Sequence, residues 1–559
     1  MKRNSVLSWD GGPLRKVAPV LLIAIFLTSH VAWMLADQRV WPWDQAMYGV
    51  ITLQLWETRL LGIEAWFEAM AHATITNPPL LVWAGQFLVP LRPFRGDIES
   101  TLLFVNVLAA GGTLTLIYLT SRRLGAGLTA ALAAVLICAG SQIFIELTDQ
   151  YLLEAVQCCA AAAMVFAAWD ADKRSLIRTF ALLLIATAFS FLTKTSSGTF
   201  VLPLLAYAII SSIITRRRAR LTIRAADVAL LIAAATVTAA ALIWYVGNWQ
   251  TLIQHFVSAT FSEGTLYWGS PVHFPTKIAY WTQSLTNALS PFLLVAICLC
   301  VVVVAALLTA IVNSYDRKVT ASAEALVENG GLFALALTGT IVATLCAFSL
   351  QINDDRRFLL PLIPLISVLV AWSLAVIGRP VIVVFIFTLL TANAVVTRAY
   401  AHGRNPFYLV PKYWGLTPYP WLLPVQPEPR NKVLLTAAVQ RTCRRETGSQ
   451  PIFVATEYAE LNVNSANFYS EKERGITGLR CSYVNYGSFQ TDVGEALSVI
   501  NRIAPAYVLT VSPDKQPPAD NVNVATRPVA EHLAHDPQYE LVSEVGDYIL
   551  IYRRVRAAN

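Results

Sequence analysis

Charged residues are scarce in this chain of 559 residues. They make up 14% of the sequence, whereas 56% of the residues are apolar and the mean hydropathy is +0.53. A soluble domain has about a quarter of its residues charged. The deficit therefore excludes an ordinary soluble protein and predicts a protein that is embedded in lipid. The length exceeds that of one usual domain, so we expect at least two units.

Motifs that bind nucleotides or metal ions are also missing. The sequence has no Walker A, GxGxxG, HExxH or CxxC pattern, so nothing supports a nucleotide-driven pump. No internal repeat is visible, and the centres of the apolar stretches carry almost no charge. Transporters usually show repeated halves and polar residues near the midplane of the bilayer. These absences therefore count against a transporter.

The net charge of +7 lies largely in short basic clusters beside apolar stretches. The clusters are Lys2/Arg3/Arg15/Lys16, Arg122/Arg123 and Arg216/Arg217/Arg218/Arg220/Arg224. Clusters in such positions mark the cytoplasmic side of a membrane. We therefore expect a lipid bilayer and not a nucleic acid as the partner of these charges.

Eleven apolar stretches are long enough to cross the ~30 Å of hydrocarbon in a bilayer. They are 17–36, 99–121, 124–142, 153–169, 175–193, 198–214, 226–246, 284–312, 332–350, 358–377 and 380–397. A cytoplasmic N-terminus puts the arginine clusters on the cytoplasmic side, and the odd count leaves the C-terminus outside. No small-residue cleavage site follows the first stretch, so we interpret it as a retained anchor.

Three long or densely polar outward loops follow from this topology, and a short fourth, Asn353–Arg357, separates two spans. The first, 37–98, holds two semi-apolar segments, 44–56 and 79–91, that are too short to span. We expect both to lie along the membrane surface as helices. The second loop is 141–152. The third, 247–283, is rich in aromatic residues, and its histidines have no spaced partner that would suggest a metal site.

The composition changes after about residue 400. We predict a transmembrane domain over 1–400 and a soluble α/β domain over 401–559. Its strands are expected at Pro451–Glu457, Ala506–Val511 and Tyr548–Arg553, and its helices at 433–446 and 491–503.

Cysteines are few, and their distribution follows this division. Six lie within predicted spans and are expected to be small apolar fillers. Cys443 and Cys481 are the only two in the soluble tail. An even pair in a domain outside the cytoplasm predicts a disulfide.

Asp44 is the first candidate for chemistry, in the run Trp41-Pro42-Trp43-Asp44-Gln45 just after the first span. Proline and tryptophan can hold the chain at the membrane interface and direct the carboxylate into a partly desolvated cleft. Such a site suits a general base. The alternative is a solvated loop aspartate, and composition alone favours that alternative.

The order of several short motifs resembles the C-type glycosyltransferase superfamily, in particular the dolichyl-phosphate-mannose protein mannosyltransferase and aminoarabinose transferase group. The matching segments are Asp44-Gln45 with Tyr48, Asn77-Pro78-Pro79-Leu80, Glu154-Ala155-Val156, the step at Lys194, and Arg357-Phe358-Leu359-Leu360-Pro361. Two positions depart from the pattern. Gln45 replaces the usual Glu, and Asn77 stands where some members have Lys.

The resemblance implies a role for each matching residue. Asp44 takes the place of the catalytic base. Glu154, or its rival Asp149, takes the place of an acid that orients the acceptor or a metal ion. Arg357 and Lys194 are implied to bind the phosphate of the donor. The alternative for both cations is that they extend to the lipid headgroups without binding a substrate. Residues of the outer loops are candidates for a substrate groove, namely Tyr48, His255, Tyr267 and Trp268.

The resemblance also implies the activity. A membrane glycosyltransferase would move a sugar from a polyprenyl phosphate to a glycolipid, polysaccharide or protein acceptor, with inversion, at the outer face of the cytoplasmic membrane. The C-terminal domain would then lie in the periplasm or outside the cell. The resemblance fixes no cofactor, and a divalent metal ion is one candidate. The alternatives are a transporter or lipid flippase, and a scaffold without activity because of Gln45.

Overall fold

The structure is a computed structural model. It describes residues 14–74, 76–92, 97–170, 176–215, 225–261, 269–289, 330–377, 379–401, 429–445, 450–487, 490–515 and 523–555. The arginine cluster at 216–224, most of the predicted span 284–312, and Tyr267 and Trp268 lie outside the described residues.

Helices dominate the described part of the chain. In chain order they are α1 (Leu14–Ala36), α2 (Trp43–Thr58), α3 (Ile63–Ala71), α4 (Leu80–Gln86), α5 (Ile98–Arg123), α6 (Leu128–Gly140), α7 (Gln142–Thr148), α8 (Leu153–Asp170), α9 (Leu176–Thr193), α10 (Gly198–Thr215), α11 (Ala225–Phe261), α12 (274–289), α13 (Gly331–Ser349), α14 (Leu362–Ile377), α15 (Pro380–Ala401), α16 (Pro429–Thr442), α17 (Val463–Thr477), α18 (Val493–Ile503) and α19 (Thr526–His535).

The chain is a polytopic membrane protein. Among the described residues, seven helices are long and apolar enough to cross a bilayer: α1, α5, α10, α11, α13, α14 and α15. The bent pair α6 and α7 makes eight, and α8 and α9 are shorter apolar helices. Apart from 284–312, each predicted span coincides with one of these helices. The count of eleven spans stays a prediction.

Two of the predicted outer loops are shorter than expected. The second, 141–152, contains the buried helix α7, which bends by 61° from α6 at Ser141. The first part of the third loop, 247–261, is helical, because α11 continues to Phe261. In 141–152 the helix was missed because its polar residues, such as Gln142 and Glu146, are buried and interrupt the apolar pattern.

The two predicted surface segments of the first outer loop are helical. The segment 44–56 lies in α2, and 79–91 contains α4 followed by a 3₁₀ turn at Val89–Leu91. A third short helix, α3, lies between them. The indole of Trp66 in α3 donates a hydrogen bond to Gln86 Oε1 at 2.7 Å, which ties α3 to the end of α4.

The C-terminal region folds as an α/β domain around one mixed sheet. Its strands are β1 (Ile452–Val454), β2 (Tyr483–Val484), β3 (Tyr507–Val511), β4 (Tyr539–Val545) and β5 (Ile549–Arg554). Their order in the sheet is β2-β1-β3-β5-β4. The pairs β1–β2 and β1–β3 are parallel, and β5 runs antiparallel to β3 and β4. The core of this domain includes Phe453, Ile500, Val508, Val529 and Leu550.

The three predicted strands of this domain correspond to β1, β3 and β5, and the two predicted helices to α16 and α18. The sequence did not reveal β2, β4, α17 or α19. β2 has only two residues, and β4 buries only its two ends, so neither shows an apolar alternation. A disulfide joins Cys443 to Cys481, with their Cα atoms 5.7 Å apart.

Contacts between residues divide the chain into two units. The first comprises 1–34, 70–81 and 103–425. The second comprises 35–69, 82–102 and 426–559, so it groups most of the first outer loop with the C-terminal α/β domain. Glu154, Lys194 and Arg357 belong to the first unit, and Asp44 belongs to the second.

Candidate functional site

Glu154 is a buried acid in the first turn of α8, and its exposed fraction is 3%. The positive end of the helix dipole favours a carboxylate at this position. A buried carboxylate is nevertheless expensive unless cations and hydrogen bonds compensate it. The structure supplies two cations.

Lys194 and Arg357 are these two cations. The Nζ atom of Lys194 donates to Glu154 Oε1 at 2.6 Å, and Nε of Arg357 lies 3.9 Å from the same oxygen. Lys194 lies between α9 and the 3₁₀ turn Thr195–Ser197, with an extended backbone. Arg357 lies in the 3₁₀ helix Arg356–Leu359 that precedes α14.

Asp355 orients Arg357. Its carboxylate accepts from the backbone N–H of Arg357 at 3.0 Å and from Nε at 2.7 Å, and so it caps the 3₁₀ helix. The ammonium of Lys194 lies 4.3 Å from the centre of the Phe358 ring. The side chain of Arg357 remains 32% exposed, whereas that of Glu154 is 4% exposed. The guanidinium of Arg357 is therefore more accessible than the carboxylate of Glu154.

A second network supports this segment from the side of α12. The Nζ atom of Lys277 is bonded to Asp354 Oδ1 at 2.5 Å and to the carbonyl oxygen of Ile352 at 2.7 Å. Tyr280 accepts from Nε of Arg356 at 2.9 Å and donates to the carbonyl of Asp354 at 2.8 Å. The two neighbouring arginines thus have different partners, since Arg356 contacts Tyr280 and Arg357 contacts the acids.

Asp149, the rival of Glu154, lies at the C-terminal end of α7 with other partners. The imidazole of His30 in α1 contacts its carboxylate, and both side chains are almost fully buried. The positive charge of Arg398 in α15 acts on the same carboxylate. This group connects three helices of the first unit and does not include Lys194 or Arg357.

Asp44 lies in the first turn of α2 and is half-buried. The carbonyl of Pro42 accepts from the backbone N–H of Gln45 at 3.0 Å, which starts the helix. Trp43 has a φ of +31°, a conformation that bulky residues rarely adopt. Tyr48, one turn further along α2, is buried. Asp44 thus lies in a helix and not in a loop, and its side chain stays partly accessible.

The remaining groove candidates lie outside any described loop. His255 lies within α11 and is half-buried. Tyr267 and Trp268 belong to 262–268, outside the described residues. Among the side chains that the structure describes, no group of three or more His, Cys, Asp or Glu could hold a metal ion.

Glu457 in the C-terminal domain is a buried acid that the sequence analysis did not single out. Its exposed fraction is 4%, and burial raises its pKa to about 7. The amide of Asn485 and the indole of Trp43 donate to its carboxylate. It lies three residues after the end of β1, a position that could have drawn attention to it.

Comparison with known proteins supports the resemblance that the order of the short motifs indicated. Residues 76–244 match the family model described as dolichyl-phosphate-mannose-protein mannosyltransferase. The matched range includes Glu154, Asp149 and Lys194, but neither Asp44 nor Arg357. No curated protein sequence matches the chain.

Two solved structures share the fold over nearly the whole chain. The crystal structure of ArnT from Cupriavidus metallidurans bound to undecaprenyl phosphate has 12% identity and a TM-score of 0.54, and the match covers 96% of this chain and 98% of ArnT. ArnT in the apo state has 12% identity and a TM-score of 0.53, with 96% and 97% coverage. At this identity the likeness shows the fold. With the family model, it confirms the resemblance to the protein mannosyltransferase and aminoarabinose transferase group.

Proposed function

We propose that this chain, a polytopic membrane protein that resembles the protein mannosyltransferase and aminoarabinose transferase group of glycosyltransferases, transfers a sugar from a polyprenyl-phosphate donor to an acceptor hydroxyl. The reaction takes place at the outer face of the cytoplasmic membrane. The acceptor is a glycolipid, a polysaccharide or a protein.

The cluster of Glu154, Lys194, Arg357 and Asp355 carries this proposal. Its acids hold two cations in place, and the side chain of Arg357 is partly exposed. A guanidinium can bind a phosphate through two parallel N–H bonds, and such bonds strengthen where water is excluded. Arg357 is therefore the binding group for the donor phosphate, and Lys194 adds a point charge.

The chemistry needs one base and one leaving group. Asp44 takes the proton of the acceptor hydroxyl while the acceptor oxygen attacks the anomeric carbon. The bond from that carbon to the phosphate oxygen breaks, and its electron pair stays on the polyprenyl phosphate. Arg357 stabilises the negative charge that develops there, a contribution that is often the largest in such reactions. Attack from the opposite side inverts the anomeric centre.

Glu154 is the second functional acid in this proposal, because it pairs with both cations. Asp149 serves packing, since its carboxylate interacts with His30 and Arg398 between helices. The carboxylate of Glu154 sets the position of Lys194 and keeps Arg357 turned towards the cluster. Its proposed role is to orient these cations.

Arg357→Lys tests the phosphate role, with Arg356→Lys as the matched control. The assay measures transfer from synthetic polyprenyl-phosphate sugars in nanodiscs, together with binding of undecaprenyl phosphate. We expect Arg357→Lys to weaken binding or turnover at least tenfold, since a lysine cannot form the bidentate contact. Arg356→Lys should stay near the wild type, because Arg356 contacts Tyr280.

Equal behaviour of the two variants would make Arg357 a simple interfacial anchor. A wild-type protein that transfers no sugar from any donor tested, but moves lipid across liposomes, would favour the flippase. Absence of both activities would favour the inactive scaffold.

A further inference from the structure

The Trp41–Trp43 segment, which directly precedes Asp44, contacts the C-terminal domain within the second unit. Its contact surface there consists of Glu457, Ser465 and Phe468, and we call it the C-terminal contact surface. These residues are separated from the segment by more than 400 positions in sequence, as the hydrogen bond between Ser465 and Trp41 shows. The contact is therefore created by the fold and not by local structure.

Trp41 is held at its ring and at its backbone. The ring stacks on Phe468 with centroids 5.0 Å apart and an interplanar angle of 11°. The hydroxyl of Ser465 donates to the carbonyl oxygen of Trp41 at 2.7 Å. Ser465 is itself fixed, because its backbone N–H donates to Asn462, which caps α17. Stacked aromatic rings and buried hydrogen bonds both oppose displacement of the segment.

Glu457 holds the next aromatic residue. The indole N–H of Trp43 and the amide of Asn485 both donate to its carboxylate. The backbone N–H of Glu457 donates to Asn523 Oδ1 at 2.9 Å, which fixes the position of the acid. A carboxylate offers two oxygens for two donors, whereas a glutamine offers one oxygen.

The backbone of Trp43 shows why these contacts matter. Its φ of +31° is unfavourable for a bulky residue. Such a conformation persists only where surrounding contacts determine it, and it often occurs at functional sites. Asp44 is the next residue, so the direction of its side chain depends directly on the backbone of Trp43.

We propose that Glu457, together with Ser465 and Phe468, positions the Asp44 carboxylate for proton transfer by holding the Trp41–Trp43 segment. The three are positioning residues, since they contact the segment and not the reacting atoms. This inference rests on the proposed function, in which Asp44 is the general base. It assigns the C-terminal domain a direct part in the reaction, because displacement of a reacting group by about 1 Å can cost roughly 10²-fold in rate.

Hydrogen–deuterium exchange of the full chain in nanodiscs tests, without any substrate, whether Glu457 holds the Trp41–Trp43 segment. The variant is Glu457→Gln, and the control is Glu540→Gln, which removes an exposed carboxylate of the same domain that pairs with Arg553. At about pH 8 we expect the amides of 41–48 to exchange roughly tenfold faster in Glu457→Gln, as loss of a charge-assisted hydrogen bond implies. The control should leave them unchanged.

Turnover tests the catalytic consequence. Trp43→Phe keeps an aromatic ring but removes the indole N–H. We expect Glu457→Gln and Trp43→Phe each to lower kcat about tenfold while KM for the polyprenyl-phosphate sugar stays unchanged. The double variant should be no slower than the slower single variant, because both remove the same contact. If Glu457→Gln does not fold, Ser465→Ala is the second variant, because it removes the hydrogen bond to Trp41 that holds the same segment.

The outcomes separate this inference from the proposed function. If Asp44→Asn abolishes transfer but Glu457→Gln behaves like Glu540→Gln in exchange and turnover, the inference is wrong and the function stands. Faster exchange without a lower kcat also overturns it. Full transfer by Asp44→Asn instead overturns the role of Asp44 as base, and with it both proposals.

Discussion

Asp44 lies in the first turn of α2, and the residue before it, Trp43, has a positive φ. Glu64 occupies the same place in α3 but is exposed. The two acids share a helix N-terminus and differ in their surroundings, which makes Glu64 a control for effects of the helix dipole alone.

Asp44→Asn should lower the rate of glycosyl transfer by about 10²–10⁴, the usual contribution of a general base. The substitution keeps the size of the side chain but removes the basic oxygen. Asp44→Glu should be partly active, since its carboxylate is displaced by about one methylene. Glu64→Gln should have no effect. The measurement is transfer from a polyprenyl-phosphate sugar in nanodiscs, and wild-type rates in Asp44→Asn would remove this residue from the mechanism.

Glu457 makes the stability of the C-terminal domain depend on pH. Burial raises its pKa from 4.5 to about 7, so the folded state holds this proton more tightly than the unfolded state. Its stabilising contribution is therefore fully present below about pH 4.5 and is lost as the pH rises through 7. Glu457→Gln cannot lose a proton and should not show this dependence.

Exchange of the β3 amides, Tyr507–Val511, measures this effect in the full chain. Between about pH 5 and pH 8, the free energy of opening in the wild type should fall relative to Glu457→Gln by up to about 3 kcal/mol. Parallel pH profiles of the two proteins would show that Glu457 ionises normally.

Helix packing in the first unit relies on small residues where helices approach closely. A Cβ atom added at Gly140, at the end of α6, would lie 2.9 Å from the Cα atom of Ala394 in α15. The amide of Asn393 donates to the carbonyl of Gly140 at 3.1 Å. Close backbone approach with interhelical hydrogen bonds is typical of packing in membranes.

Gly140→Ala should therefore destabilise the packing of α6 against α15 by about 1–3 kcal/mol, because the Cα atom of Ala394 belongs to the backbone and cannot move aside. Gly339→Ala is the control, since a Cβ atom there meets nothing within 4 Å. Thermal unfolding of the purified protein in one detergent compares them. A lower Tm for Gly339→Ala than for Gly140→Ala would contradict the prediction that Gly140 is needed for the close contact of α6 with α15.

The whole molecule is organised by where its charges lie relative to the apolar helices. The basic clusters predict the cytoplasmic side, and the disulfide between Cys443 and Cys481 agrees with an oxidising compartment for the C-terminal domain. We propose this topology for the whole chain.

Reporter fusions test this topology. A reporter fused after residue 219 should indicate the cytoplasm, and one fused after residue 559 should indicate the outside, because positive loops are retained inside. An even number of spans between the two sites would put both reporters on one side. That result would contradict the predicted list of spans.

The sequence by itself determined the membrane-spanning nature of the chain and the positions of most helices. Lipid imposes a uniform requirement for apolar residues over each span, so the signal is local and strong. It also pointed to Asp44, Glu154, Lys194 and Arg357 through their order along the chain. It left open whether Glu154 or Asp149 is the second acid.

Only the tertiary structure decided which charges meet. The partners of Glu154 come from different helices, and His30 reaches Asp149 from the first helix of the chain. Glu457 reads as an ordinary acid after a strand until folding brings it to Trp43. The free energy of a buried charge depends on its neighbours in space. A local pattern does not contain that information.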